Sequence, residues 1–106
     1  MTEDERSKAL IKIASHYGLE RQRIKIIEEL SELTTEIAKT NTLMMIDEPV
    51  EAESRREYVI CEMADVKNMI EQMMFLMNCA DEVKGVQDYK IKRQLRRIET
   101  ERGGME

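Results

Sequence analysis

Residues 19–39 read LERQRIKIIEELSELTTEIAK, with Ile26, Leu30, Leu33 and Ile37 falling at i, i+4, i+7 and i+11. That spacing is the signature of one face of a 3.6-residue helix, whereas a half-buried strand would alternate apolar and polar residues. At 100° per residue the four side chains cluster within about 60° of one another, so the stretch predicts an amphipathic helix that lays a narrow apolar stripe on a neighbour.

The same period extends in both directions. Upstream, a helix is expected from Thr2 or Glu3 to His16, with Asp4 and Glu5 complementing its dipole, Gly18 as the stop, and Leu10, Ile13, Ala14 and Tyr17 on its apolar face. Downstream, KTNTLMMIDEPVE (residues 39–51) predicts a loop, because Thr40, Asn41 and Thr42 compete for backbone hydrogen bonds and Pro49 cannot sit inside a helix. A long third helix follows from Val50 to Cys79, with Val59, Met63, Val66, Ile70, Met73 and Met77 on one side. The last helix, Asp81 to Glu101, carries Ile91, Leu95 and Ile98 before GGME frays it. Four glycines and one proline leave little material for strands and turns, and the fold class is all-α.

A chain of 106 residues is one domain, small enough that its apolar surface calls for a partner. Its formal charge of −5 argues against a dedicated nucleic-acid binder. No apolar run is long enough to cross a bilayer and the start, MTEDER, is acidic, so a cytoplasmic protein without membrane attachment is expected. Cys61 and Cys79, 18 positions apart in the expected third helix, would be separated by roughly 27 Å and read as two buried, reduced thiols.

Within the opening stretch, EELSE (residues 28–32) places Glu28, Glu29 and Glu32 three and four positions apart, a like-charge arrangement that by itself weakens a helix. The helical wheel puts Glu29 about 70° from the centre of the apolar stripe, Glu32 about 130°, and Glu28 nearly opposite. EMAD (residues 62–65) repeats the three-residue spacing, with Glu62 about 50° and Asp65 about 110° from the apolar centre of the third helix. If the second and third helices pack antiparallel, the two acidic flanks face each other across a groove, and four converging carboxylates need protons or hard cations such as Mg²⁺ or Mn²⁺ between them. The plainer alternative is a pair of solvated helix faces bridged to Lys25, Lys39 or Lys67.

EELSE followed by about thirty residues and then EMAD resembles the EExxE…ExxD signature of the MazG-like, all-α nucleoside triphosphate pyrophosphohydrolases. The resemblance implies a four-helix unit over residues 1–101, with 102–106 as a frayed tail and the bundle completed by forming a homodimer or a dimer of dimers. It implies hydrolysis of an NTP or dNTP between the α and β phosphates, by a water activated on Mg²⁺ (Mn²⁺ a possible substitute), to the monophosphate and pyrophosphate. Glu29, Glu32, Glu62 and Asp65 match the family's metal-holding, catalytic positions. Glu28 matches the first motif glutamate, and its outward angle suits a supporting or structural role better than direct ligation.

A triphosphate also needs cations, and Lys90, Arg93 and Arg97 fall within about 60° of one another beside the apolar face of the last helix, as a candidate phosphate-facing row. The rival reading of that row is a solvated face near a helix C-terminus. His16 reads as a helix-end residue, and the methionines from 63 to 77 as core and interface. Absence of Trp leaves no base-stacking platform legible. Two rival functions remain: a phosphoribosyl-ATP pyrophosphohydrolase-like enzyme, and a non-catalytic helical interaction module.

Overall fold

The computed structural model describes residues 1–104 and is helical almost throughout. Its elements are α1 (Glu3–Met45), α2 (Pro49–Ser54), α3 (Arg56–Leu76) and α4 (Ala80–Gly104), and there is no strand among the described residues.

Helix α1 starts at a capping box: Thr2 Oγ1 accepts from the Glu5 backbone N–H at 3.1 Å while Glu5 Oε1 accepts from the Thr2 N–H at 3.4 Å. Gly18 breaks it where expected, leaving helical geometry at φ 85°, ψ 166°, a region closed to residues with a Cβ. The helix then resumes at once, so the first two expected helices are two arms of one kinked element. The expected loop at 39–51 is largely wrong. Thr40 and Thr42 donate their hydroxyls back to the carbonyls of Glu36 and Ala38 at 3.0 Å, so they satisfy themselves within the helix, which runs on to Met45.

The reversal takes only Ile46 to Glu48, with Asp47 at φ 60° and Pro49 entering α2 at its first turn, where its missing N–H costs nothing. The single third helix expected over 50–79 is instead interrupted near Arg55 and ends earlier. Asn78, at φ 50°, terminates the α3 end of the chain's second turn. Helix α4 runs through Gly104, and residues 105 and 106 of the expected 102–106 tail lie outside the described residues.

Helices α1 and α3 pair antiparallel. Gln22 meets Gln72, Glu32 meets Glu62 and Glu36 meets Arg55, so partner numbers fall along α3 as they rise along α1. The seam they share buries Leu10, Ala14, Val66 and Met69, with Ala52 of α2 closing one end, yet no large side chain is sealed completely. The expected apolar faces are only half used: Ile13, Tyr17, Leu30, Ile37, Met63, Ile70 and Met77 stay exposed, because a two-helix hairpin covers one side of each helix. Cys61 is likewise exposed rather than buried, and Cys79 sits in the α3–α4 turn; both thiols are free.

Helix α4 meets α3 alone and nothing of α1 or α2. Every residue from Asp81 to Gly103 is exposed, including the Ile91, Leu95 and Ile98 face. The radius of gyration, 18.0 Å, exceeds the roughly 13 Å of a compact chain of this length.

Candidate metal centre

Register between α1 and α3 decides which acids meet. Glu29 and Glu32 rise one helical turn apart from α1, Glu62 enters from α3, and one carboxylate oxygen from each lies within 4.8 Å of the others. Glu29 is buried, Glu62 half-buried and Glu32 exposed. Glu29 Oε1 accepts from Lys25 Nζ at 3.2 Å, but Glu29 Oε2 and Glu62 Oε2 are shut off from solvent with no hydrogen-bond partner. A buried carboxylate oxygen without a donor costs on the order of 1–3 kcal/mol, and such orphans in a folded protein call for a specific explanation.

The local electrostatics carry the same strain. The Glu32 carboxyl is pushed above the ordinary carboxylate range, first by loss of solvent where it faces the seam, then by the charge of Glu62 and by the opportunity to donate a hydrogen bond to it, with Glu28 adding a smaller repulsion. Lys25 is held above the ordinary lysine range by its hydrogen bond to Glu29 and by the charges of Glu28 and Glu29. One ammonium on the rim therefore balances part of the site's charge, and the two inner oxygens take no part in that pairing. An all-oxygen donor set of this kind fits a hard divalent ion, which takes carboxylate oxygens and completes its shell with water. Chemically the arrangement can hold such an ion or share a proton among three acids.

Of the four acids expected to converge, three do. Asp65 is exposed and stands outside the converging group: it is one turn beyond Glu62 on α3, on the outer flank, with a side chain one methylene shorter than glutamate. Glu28 points to solvent as its wheel angle predicts and pairs with Lys25 at 3.5 Å. Lys90, Arg93 and Arg97 are not brought to the acids within one chain. Helix α4 departs at Ala80, past the end of α3 at Leu76, and Leu76 is about 20 Å along α3 from Glu62 at 1.5 Å per residue. Arg93 and Arg97 instead border a small surface hollow with Arg96 and Thr100. His16 packs its ring edge-to-face on Tyr17 at 4.8 Å, remote from the acids in chain position.

Two neighbours escaped the sequence reading. Glu36, two turns beyond Glu29, accepts from Arg55 Nη2 at 2.6 Å and so ties α1 to the α2–α3 junction. Gln22, two turns before Glu29, donates Nε2 to Gln72 Oε1 at 2.7 Å, and both amides are nine-tenths buried or more. The signal was present, since seven residues nearly complete two helical turns and place Gln22, Glu29 and Glu36 in one line.

No family model, curated protein or solved structure matches the chain.

Proposed function

We propose that the protein is a Mg²⁺-dependent nucleotide pyrophosphohydrolase of the MazG-like kind, cleaving NTPs or dNTPs to the monophosphate and pyrophosphate. The observation that carries this reading is the convergence of Glu29, Glu32 and Glu62 within 4.8 Å with two buried oxygens left without donors. A purely structural hairpin gains nothing from that arrangement, whereas a bound cation would neutralise it.

Glu29, Glu32 and Glu62 would hold the ion, with Asp65, one turn along the same helix, available to a second ion or to water bound to the first. When bound, Mg²⁺ supplies charge neutralisation for the phosphates and acidifies a water molecule for attack on phosphorus. A carboxylate of the same group would take up the proton released. Glu29, buried and tethered by Lys25, keeps the geometry rigid from the α1 side. Lys90, Arg93 and Arg97 enter this reading only as contacts supplied between copies, since α4 leaves its own hairpin.

Completion of the bundle by a second copy, as a homodimer or dimer of dimers, belongs to the same proposal. Ile24 and Ile27 on α1 are 68% and 65% exposed and Leu95 on α4 is 56% exposed, an apolar surface unusual for a monomer. None of the described helices is long and apolar enough to cross a membrane, in keeping with a cytoplasmic enzyme.

The test is release of pyrophosphate from a panel of NTPs and dNTPs with Mg²⁺, comparing wild type with Glu32→Gln and Asp65→Asn. Loss of activity in Glu32→Gln with retained folding is the expected result. A wild type that cleaves none of the panel, or variants that match it, would overturn the assignment.

A further inference from the structure

Beside the acids, on the Gly18 side of α1, a groove of about 440 Å³ opens between α1 and α3, within the size range of small-molecule sites. Gln22, Gln72, Tyr17, Arg21, Lys25 and Glu28 contribute its polar and aromatic lining, and Lys25 also reaches Glu29 of the acid group at 3.2 Å. We propose that this groove is a nucleobase subsite, in which the Gln22–Gln72 amide pair reads the polar edge of the base and Tyr17 packs on its face. The proposal rests on the nucleotide reading above and adds to it the residues that would distinguish one base from another.

The amide pair is the primary observation. Gln22 and Gln72 are 5% and 4% exposed, in a seam otherwise made of Leu10, Ala14, Val66 and Met69. Polar groups are costly there unless they are paired. Their pairing is incomplete. Gln22 Nε2 donates to Gln72 Oε1, Gln72 Nε2 has only a long contact of 3.7 Å with the weak acceptor Met69 Sδ, and both residues line the groove. An amide offers a donor and an acceptor side by side, the pattern that pairs with adjacent donor and acceptor atoms on a base edge.

The flanking groups fit the same ligand. Tyr17 keeps 43% of its surface open, with the Arg21 guanidinium over its ring at 5.0 Å and the His16 ring packed nearly perpendicular to it; a base can stack on the aromatic ring or on the guanidinium plane. The two cations, Arg21 and Lys25, outnumber the one acid, Glu28, which Lys25 already engages. Gln22 precedes Glu29 by seven residues, about 10 Å along the helix, the scale of a ribose and base hanging from a phosphate held at the acids. Gly18 contributes by bending α1 immediately beside Tyr17.

The experiment follows the side-chain amide signals of Gln22 and Gln72 by nitrogen–proton NMR while adenosine, guanosine, cytidine, uridine or ribose is added without metal. At least one nucleoside should shift both amides and the Tyr17 ring, ribose should not, and Gln22→Leu should weaken that nucleoside about tenfold. Tyr17→Leu, at a half-open position that does not support the core, should weaken it similarly and guards against a Gln22 variant that fails to fold. Amides unmoved by every nucleoside, equal shifts with ribose, or unaltered affinity in both variants would overturn the subsite. Pyrophosphate release by the wild type with Mg²⁺, measured in parallel, tests the catalytic reading separately, because an uncharged nucleoside needs neither metal nor turnover to enter the groove.

Discussion

Glu62→Gln separates a cation site from a solvated acidic face. Glu62 and Glu29 present carboxylate oxygens within 4.8 Å; two unit charges at that distance repel by about 1 kcal/mol in water and about 3 kcal/mol at an effective dielectric of 20. Replacing Glu62 by its amide removes that repulsion and adds an N–H donor within the same group of carboxylates. Without metal the variant should therefore be more stable than wild type by about 1–3 kcal/mol. With Mg²⁺ the order should reverse. A ligand at a hundredfold excess over its Kd adds about 2.7 kcal/mol to the wild type, roughly 10 °C or more in Tm for a domain of this size, and the variant should lose most of that gain. Urea unfolding with chelator and with millimolar Mg²⁺ reads both numbers. A Glu62→Gln protein less stable than wild type in chelator, or equally stabilised by Mg²⁺, would refute the reasoning, because either result means the acids do not crowd one another around an ion.

Acidity offers an independent check. Because the fold raises the Glu32 carboxyl above its ordinary value of 4.5, the native state binds more protons than the unfolded chain between those two values, and metal-free stability should fall as pH rises through that window. The slope should vanish in Glu32→Gln, measured by urea unfolding across mildly acidic pH; an unchanged slope would assign it elsewhere. Gly18→Ala forces a Cβ into the φ 85° geometry and should cost about 1–3 kcal/mol, seen as a lower Tm with Mg²⁺ binding intact. A double-mutant cycle on Glu36 and Arg55, whose side chains are 15% and 27% exposed, should give a coupling of about 1–2 kcal/mol, against zero for an idle surface pair.

The acids illustrate how far local pattern reaches. Helical periodicity in residues 19–39 was enough to identify the helix, to turn Glu28 outward and to set Glu29 at the edge of the seam, where it is buried. Helix ends were harder to read. Thr40 and Thr42 have the chemistry of a helix breaker, yet with their hydroxyls bonded one turn back they prolong α1, a choice set by side-chain rotamer and invisible in composition. Asp65 shares the motif spacing of Glu62 but not its convergence, since spacing fixes an angle on one helix and leaves open the reach to another.

By itself, then, the sequence determined the all-α class, the bend at Gly18 and the gathering of carboxylates on the flanks of two helices, because each follows from backbone geometry within a few residues. Only the tertiary structure decided that Glu32 and Glu62 stand opposite each other, that Gln22 and Gln72 share a buried bond, and that α4 with its Lys90, Arg93 and Arg97 leaves the hairpin. Those outcomes depend on the antiparallel register of α1 against α3 and on the direction of the chain after Asn78. Register is set by contacts between residues about twenty to fifty positions apart, which no periodicity along the chain encodes.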